Sequence, residues 1–201
     1  MAAPAVSSAH VRAKRQRRRT EILHAALRAF RESGYHGTTL EDIAQQLGVR
    51  KTALYHYFPD KEAILYACHR EGLEEVAGLV ARAGRSPAYA DQLAYVIREH
   101  VRVMTDTLEG SSLALEVSAL SPAHRAEVIA ARDRYEQALR EIVRCGVVAG
   151  EFRTVDPKLA VFAILGAINW VARWYSPDGS IHPLDLGLHY ADHLLRGLLA
   201  P

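Results

Sequence analysis

The segment from Leu40 to Phe58 restricts the possible fold more than any other part of the sequence. It contains two short helical patterns separated by Gly48, which can adopt the positive φ that a tight turn requires. Ala44 is small where the first of these helices must approach its neighbour. Apolar residues that can hold the pair together occur along both helices: Ile43, Leu47, Val49, Leu54 and Phe58. We therefore expect a helix-turn-helix.

Helical periodicity continues on both sides of this segment. Apolar residues at helical spacing predict a first helix over residues 19–31, and a third short segment covers Lys51 to Phe58. Thr38 and Glu41 have capping-box spacing at the start of the second helix. Asp60 is placed to cap a long fourth helix that begins with Lys61. Three compact helices thus precede a long one.

Later helix starts are marked by proline at the first helical position. Ser86-Pro87, Ser121-Pro122 and Asp156-Pro157 each place a capping side chain before such a proline, and a last helix runs from about Pro183 to Leu199. No stretch shows the alternation that a half-buried strand requires. The predicted fold class is all-α.

Positive charge is concentrated at the N-terminus. Residues 1–61 hold eleven Lys and Arg against five Asp and Glu, although the whole chain has a net charge of only +2. Six of these cations lie in one eight-residue stretch: Arg12, Lys14, Arg15, Arg17, Arg18 and Arg19. We expect residues 1–14 to form a flexible basic arm, and Arg17 and Arg18 to meet phosphates or a minor groove. A solvated face is the simpler alternative.

Polar residues fall on the outer side of the second short helix, where a helix-turn-helix contacts the edges of bases in the major groove. The candidates for this contact are Arg50, Lys51, Thr52, Tyr55 and His56. Tyr57 and Lys61, with the start of the preceding helix at Thr38 and Thr39, are better placed for phosphates. This set predicts binding to double-stranded DNA.

Several other functions lack support in the sequence. Cys68 and Cys145 have no metal-ligand spacing, and we expect neither a metal nor a cofactor. The longest nearly uncharged stretch, Leu159 to Ala172, is too short to span a bilayer, and no secretory signal is recognisable, so we expect a cytoplasmic protein. No catalytic motif is present, which argues against an enzyme.

The helix from Pro157 to Tyr175 is apolar on nearly every face, so a partner subunit is expected to cover part of it. Small residues that would let another helix approach are Ala160, Ala163, Gly166 and Ala167, while Phe162, Leu165 and Trp170 are expected to fill the subunit's own core. With the last helix, this predicts a homodimer through a four-helix interface.

Polar residues within apolar helices are candidates for a small-molecule site. They are His100, Met104, Glu116, Tyr135, Asn169, Trp170 and Arg173. Asp185, His189 and His193 follow one another at i, i+4 and i+8, which suits either a metal or the polar edge of an interface helix.

The N-terminal motifs together resemble the DNA-binding domain of the TetR family of repressors. The resemblance covers roughly residues 15–65 and includes the runs Thr38-Thr39-Leu40-Glu41-Asp42-Ile43-Ala44, Leu47-Gly48-Val49 and Leu54-Tyr55-His56-Tyr57-Phe58-Pro59-Asp60-Lys61. It implies about nine helices, a DNA-binding domain over 15–61 and a ligand-binding and dimerisation domain over 62–201. It also implies a homodimer through the last two helices and loss of DNA affinity when a small molecule binds.

Matching positions within this motif imply particular contacts. Arg50, Lys51, Thr52, Ala53 and Tyr55 fall where the family reads bases, and Thr39, Tyr57 and Lys61 fall where it holds phosphates. Ala53 can offer only apolar contact. The expected target is a pseudo-palindromic operator.

Residues 169–179 resemble family members that govern fatty-acid, steroid or aromatic catabolism and respond to acyl-CoA thioesters. Such a ligand needs cations for its phosphates, which Arg173 with Arg102, Arg132 or Arg134 could supply. Surface ion pairs are an equally good interpretation of these arginines.

Three other functions remain open at this level. The chain could repress an efflux or stress gene and sense a hydrophobic, drug-like ligand. It could be an architectural DNA-binding protein without an effector, which would bind any duplex with a steep salt dependence. It could also be a helical enzyme that uses Glu116 with His100 or His124.

Overall fold

A computed structural model describes residues 5–106, 116–176 and 178–200. This part of the chain forms eight α-helices and no strand, which confirms the all-α prediction. The helices are α1 (Ala5–Gly37), α2 (Leu40–Gln46), α3 (Lys51–Leu54), α4 (Lys61–Ala83), α5 (Tyr89–Asp106), α6 (Pro122–Val148), α7 (Pro157–Trp174) and α8 (Pro183–Arg196). A 3₁₀ turn, Val117–Ala119, precedes α6.

Helix α1 is longer than the sequence predicted. Residues 5–14, expected to be a flexible arm, belong to this helix, which begins at Ala5. The helical conformation is interrupted only at Gly34, where φ is +71° and ψ is 163°. The basic stretch therefore projects from a helix.

Three of the predicted helix caps are confirmed. Asp60, Ser121 and Asp156 each accept a hydrogen bond from an amide in the first turn of α4, α6 and α7. The start expected at Ser86-Pro87 is wrong, because α5 begins at Tyr89.

Two hydrophobic cores divide the molecule, and α4 contributes to both. Ile64, near the start of α4, packs with α1 to α3, whereas Val76 packs with α5 to α8. Leu120 and Val128 reach across from the second part of the chain to the first core. We call α1 to α3 the head, and α4 to α8 the C-terminal domain. The two parts are thus joined by packing as well as by the chain.

Helix α8 approaches α5 closely at Gly187. A Cβ at this position would lie 2.8 Å from the carbonyl oxygen of Arg98. This contact leaves no room for any larger side chain, and it fixes how α8 lies on the C-terminal domain.

Candidate DNA interface and internal pockets

Helix α2 is capped one residue later than the sequence predicted. The Asp42 amide donates to Thr39 Oγ1 at 3.2 Å, and the Thr39 amide donates to Asp42 Oδ2 at 2.8 Å. The capping box is therefore Thr39 with Asp42, not Thr38 with Glu41. The backbone and side-chain hydrogen bonds from Thr39 hold the pKa of Asp42 below its ordinary value.

The turn after α2 depends on Gly48, as expected. Its φ is +63°, and its amide donates to the Gln45 carbonyl at 3.0 Å. The following amide, from Val49, donates to the Ala44 carbonyl at 3.0 Å. This turn redirects the chain into α3 and sets the angle between the two short helices.

Helix α3 is shorter than predicted, with a single α-helical turn over Lys51–Leu54. The following residues form a turn, in which the Tyr57 and Phe58 amides both donate to the Leu54 carbonyl. Leu54 and Phe58 are buried in the head core. The apolar side of this segment is thereby anchored, and its polar side is presented outward.

Most of the predicted base-reading side chains lie on that outer side. Arg50, Thr52, Tyr55 and His56 are exposed, and Lys51 and Ala53 are half-buried. The Lys51 ammonium lies 2.7 Å from a Glu41 carboxylate oxygen, and this hydrogen bond lowers the pKa of Glu41. Lys51 thus has an exposed intramolecular partner that a base or phosphate would have to replace.

The structure places Thr38 and Lys61 differently from the other predicted DNA contacts. Thr38 is only 1% exposed, and its hydroxyl lies 2.9 Å from the Ala29 carbonyl and 2.8 Å from the Gly34 carbonyl. The Thr38 side chain therefore fastens α1 to the start of α2 and is not exposed to a phosphate. A phosphate contact through the amides at this helix start stays a prediction.

Lys61 also has an internal role. Its ammonium donates to the Tyr35 and Thr38 carbonyls at 2.7 and 2.6 Å and lies 4.3 Å from the centre of the Tyr35 ring. Burial lowers its pKa. Two of the three N–H donors are thus used within the head, which leaves one for a phosphate.

The remaining predicted DNA contacts are distributed around the head. Arg17 and Thr39 are exposed and Tyr57 is half-buried. Arg18 forms an ion pair with Glu21 at 2.6 Å. Thr39 and Tyr57 lie within the segment that contains α2 and α3, whereas Arg17 and Arg18 lie on α1.

Two adjacent cavities occur in the C-terminal domain. The outer groove, of about 730 Å³, lies between α4 and α6 and has Tyr66, Arg70, Glu127 and Arg134 in its lining. The inner pocket, of about 150 Å³, is lined by Leu73, Val76, His100, Arg132, Tyr135, Glu136, Leu165 and Asn169. Leu73 and Tyr135 line both cavities.

The inner pocket brings together three of the seven predicted ligand-site residues. His100 and Tyr135 are buried and hydrogen-bonded, with 3.0 Å between the Tyr135 hydroxyl and His100 Nδ1, and Asn169 lies nearby in the lining. Burial lowers the pKa of His100 to about 4 and raises the pKa of Tyr135. Both groups are therefore uncharged at neutral pH.

The other four candidates are dispersed. Met104 is buried in the second core and lines neither of these two cavities. Glu116 is exposed and bonds to Ser118. Trp170 and Arg173 are exposed on α7. The enzyme hypothesis requires Glu116 to pair with His100 or His124. His100 instead bonds Tyr135, and His124 bonds Glu62, so neither pair is formed among the described residues.

Sequence reasoning overlooked His69. This residue lies on α4, is fully buried, and neither of its ring nitrogens has a hydrogen-bond partner. Burial lowers its pKa to about 4, and the charge of Arg132 contributes to the same shift. Its position within the apolar stripe Leu65, Leu73 and Val76 is the sequence signal that could have identified it.

The junction between head and C-terminal domain is polar. Glu62, in the first turn of α4, accepts a hydrogen bond from the Ser121 amide at 2.8 Å and lies 2.9 Å from His124 Nδ1. The His124 ring stacks on Tyr66 with 3.8 Å between ring centres. Burial raises the pKa of Glu62, but these hydrogen bonds outweigh burial and hold it below its ordinary value.

Large apolar side chains are exposed on α7 and α8. Leu159, Phe162 and Trp170 are 65%, 47% and 62% exposed, and Leu184 and Leu188 are 51% and 54% exposed. The prediction that Phe162 and Trp170 fill the subunit's own core is therefore wrong. The inward side of α7 is formed by its other branched residues, Val161, Ile164, Ile168 and Val171.

Metal sites and membrane-spanning helices are both absent from the described residues. No group of three or more His, Cys, Asp and Glu is arranged to hold a metal ion, and this includes Asp185, His189 and His193. Within the same residues, no helix has the length and apolar character needed to cross a membrane.

Comparison with known proteins matches both halves of the chain to one family. Residues 22–68 match the bacterial regulatory proteins of the tetR family, and residues 86–198 match the tetracyclin repressor-like C-terminal domain. The HTH-type transcriptional repressor KstR2 of Rhodococcus jostii (strain RHA1) is 31% identical over 196 residues, which cover 92% of each protein.

Solved structures agree with this match. PfmR, a TetR family transcriptional regulator from Thermus thermophilus, has a TM-score of 0.80 and 37% identity, covering 87% of this chain and 97% of PfmR. AibR in complex with isovaleryl coenzyme A and operator DNA has a TM-score of 0.79 and 27% identity, covering 92% of this chain and 99% of AibR. KstR2 is a transcriptional repressor and PfmR a transcriptional regulator. The chain belongs to the TetR family of helix-turn-helix transcriptional repressors.

Proposed function

We propose that this repressor binds a pseudo-palindromic operator as a homodimer and releases it when an acyl-CoA thioester binds the C-terminal domain. The observation that carries the DNA-binding part is the outward polar side of α3. Its exposed Arg50, Thr52, Tyr55 and His56 are backed by the buried Leu54 and by the Gly48 turn.

Each group on this side can make a defined contact. Arg50 can donate to guanine O6 and N7, Thr52 can bond a base or phosphate, and Tyr55 can reach the backbone or a thymine methyl group. The amide end of α2 at Thr39, together with Tyr57 and the third N–H of Lys61, can hold phosphates. The exposed Arg17, farther along α1, would add a phosphate or minor-groove contact.

The exposed apolar side chains of α7 and α8 support a dimer. Isolated apolar residues are common on protein surfaces, but five large ones exposed on two helices favour an interface. Two such helices from each subunit would form a four-helix interface. A two-fold axis through it would present two copies of α3 to half-sites about 34 to 36 Å apart, or a longer multiple of the helical turn.

The outer groove supports an acyl-CoA as effector. Arg70 and Arg134 in its lining can pair with phosphates, and its apolar residues can cover the rest of an extended ligand. AibR, which has a similar fold, was solved with isovaleryl coenzyme A and operator DNA. Arg134 was one of the cations expected from the sequence, whereas Arg70 was not.

Contacts at the junction provide a route from this groove to the DNA. Tyr66 and Glu127 line the groove and are hydrogen-bonded to each other across α4 and α6. One turn earlier, Glu62 joins α4 to the start of α6. Lys61, next to it, holds the end of α1 and the start of α2. A ligand that separates α4 from α6 would therefore move the head. If the ligand binds this separated conformation more tightly than the conformation that binds DNA, it lowers the affinity for DNA by the same factor.

The test starts with sheared genomic DNA from the source organism. We expect the purified protein to enrich one pseudo-palindromic sequence, and the Arg50→Ala/Tyr55→Ala variant to enrich none. Uniform recovery of all fragments would instead support an architectural DNA-binding protein, and no recovery by the parent protein would contradict DNA binding altogether.

The effector is tested on the recovered operator. Acyl-CoA thioesters should displace the protein, whereas coenzyme A alone should not. Release by hydrophobic drugs but not by any thioester would replace the proposed effector with a drug-like one.

The dimer is tested by sedimentation. The parent protein should sediment at twice the mass of one chain, and Leu159→Asp/Leu188→Asp should shift it to the monomer. A dimer that withstands both charges would place the interface elsewhere.

A further inference from the structure

The inner pocket is small, opens to the surface beside the exposed Asn169, and has both apolar and polar residues in its lining. Its volume is about 150 Å³, and a cavity of that size accepts a group about as large as benzene. Leu73, Val76 and Leu165 form its apolar part. The part of a ligand that lies inside must therefore be compact, with no more than about six carbon atoms.

His100, one of the residues that line this pocket, has an unused hydrogen-bonding group. Its Nδ1 pairs with the Tyr135 hydroxyl, but its Nε2 is buried and has no partner. Buried polar atoms in native proteins are nearly always paired, so an unpaired one next to a cavity suggests a partner supplied by a ligand.

The hydrogen bond to Tyr135 determines which role Nε2 plays. If Nδ1 carried the proton and donated to Tyr135, the buried hydroxyl proton of Tyr135 would have no acceptor among the described residues. The favourable arrangement has the Tyr135 hydroxyl donate to Nδ1, which places the imidazole proton on Nε2. His100 is then a donor, and it requires an acceptor atom such as a carbonyl oxygen.

Charge in the lining does not demand an ionised ligand. Arg132 is the cation of the pocket, and the carboxylate of Glu136 lies there as well, paired with Arg140. His100 is neutral because burial lowers its pKa to about 4. A neutral carbonyl group suits this environment better than a carboxylate. The carboxylate of Glu136 would repel a second carboxylate and reduce the stabilisation that Arg132 could give it.

We propose that the inner pocket binds the acyl end of the effector as a short or cyclic group of at most about six carbons, with its carbonyl oxygen accepting a hydrogen bond from His100 Nε2. Because the inner pocket adjoins the outer groove at Leu73 and Tyr135, phosphates held at Arg70 and Arg134 would be continuous with an acyl group inside. This inference rests on the proposed acyl-CoA effector and makes His100 a specificity-determining residue.

Acyl thioesters of N-acetylcysteamine test the pocket without coenzyme A, because they carry the acyl carbonyl but no phosphates. Binding is measured by calorimetry for a branched five-carbon acyl group, a twelve-carbon acyl group, and the five-carbon thioether that lacks the carbonyl. We expect the five-carbon thioester to bind at least about tenfold more tightly than either of the others.

Two variants examine the hydrogen bond. His100→Phe keeps a ring but removes the donor, and it should reduce five-carbon thioester binding to the level of the thioether. Tyr135→Phe removes one oxygen atom, frees the imidazole to change tautomer, and should weaken thioester binding by a smaller factor. His36→Phe, on the exposed end of α1, is the matched control and should bind like the parent protein. Circular dichroism verifies that each variant is folded.

The outcomes separate this inference from the proposed function. Equal binding of the thioether, tighter binding of the twelve-carbon ester, or unchanged binding in both His100→Phe and Tyr135→Phe would overturn the inner-pocket assignment. If the five-carbon thioester binds as expected while coenzyme A thioesters fail to release operator DNA, the pocket assignment stands and the proposed effector fails. If coenzyme A thioesters release DNA regardless of acyl length, the proposed effector stands and the pocket assignment fails.

Discussion

In the head, the buried hydroxyl of Thr38 lies within 3 Å of two backbone carbonyls, whereas in the C-terminal domain the equally buried His69 has no partner for either ring nitrogen. Two carbonyls of the head are likewise paired with the half-buried ammonium of Lys61, at the start of α4, whereas Nε2 of His100 on α5 has no partner. Among the described residues, no buried unpaired side-chain nitrogen or oxygen lies in α1 to α3.

This difference matches two kinds of task. A surface that reads DNA has to hold its side chains in position before DNA arrives, so its internal polar groups are satisfied in advance. A domain that responds to a ligand keeps cavities and unpaired donors that only the ligand completes. Substitutions and pH changes in each part of the molecule test this contrast, from the largest expected effect to the smallest.

The largest effect is expected on DNA binding. Each good base contact is worth about 1–3 kcal/mol, so Arg50→Ala/Tyr55→Ala in both subunits of a dimer should weaken operator binding by several kcal/mol or more. The melting temperature should stay within about 2 °C of the parent, because both side chains are exposed. Fluorescence anisotropy with labelled operator gives the affinity. Arg85→Ala, an exposed arginine between α4 and α5, should leave it unchanged.

The buried imidazoles predict a pH dependence of stability in the C-terminal domain. The pKa values of His69 and His100 fall from 6.5 to about 4 on folding, so between these pH values the unfolded chain binds more protons. Stability is therefore fully present above pH 6.5 and is lost as the pH falls towards 4, by roughly 3 kcal/mol per imidazole at most.

Urea unfolding at pH 7 and pH 4.5 measures this loss. His69→Leu/His100→Phe should lose several kcal/mol less than the parent protein over that interval. An identical loss in the two proteins would mean that carboxylates alone account for the acid sensitivity, and the contrast between the two parts of the molecule would lose its main support.

A larger side chain at Gly187 tests the close packing of α8 against α5 in the C-terminal domain. In Gly187→Ala, the new Cβ would lie 2.8 Å from the Arg98 carbonyl oxygen, so α8 must move away from α5. We expect a loss of about 1–3 kcal/mol in the free energy of unfolding. Gly84→Ala, at the end of α4, is the matched control, since a Cβ there meets no atom closer than 3.8 Å. Full stability in Gly187→Ala would show that α8 can move away from α5 at no cost in free energy.

The smallest effect concerns preorganisation of the head. Thr39→Ala removes the side-chain half of the capping box on α2 and should lower stability by about 1 kcal/mol. Thr39→Ser keeps the hydroxyl and should retain most of that stability. Thermal unfolding compares the two variants. Greater operator affinity in Thr39→Ala would contradict the view that a preformed α2 is needed for DNA binding.

Local sequence patterns were sufficient for much of the fold. The caps at Asp60, Ser121 and Asp156 could be predicted because a capping side chain acts within three residues of its own position. The Gly48 turn was predictable for the same reason. The capping box of α2 was misplaced by one residue, since Thr38 and Thr39 are both suitable and only packing against α1 buries the first of them.

The ligand site was less predictable. His100, Tyr135 and Asn169 come together from three helices, and sequence spacing contains no information about how α5, α6 and α7 lie against one another. Phe162 and Trp170 were assigned to the core because they are large and apolar, yet the smaller branched residues of α7 take the inward side. Hydrophobicity predicts that a side chain will be covered, but it does not say whether its own subunit covers it.

The sequence by itself determined the all-α class, the helix-turn-helix, and the polar side of α3, because each follows from interactions between residues close together in the chain. Only the tertiary structure decided that Thr38 and Lys61 fasten the head internally, that His69 and His100 are buried without full hydrogen bonding, and that α7 presents its large residues outward. Those outcomes depend on contacts between helices far apart in sequence, where packing and burial outweigh any local preference.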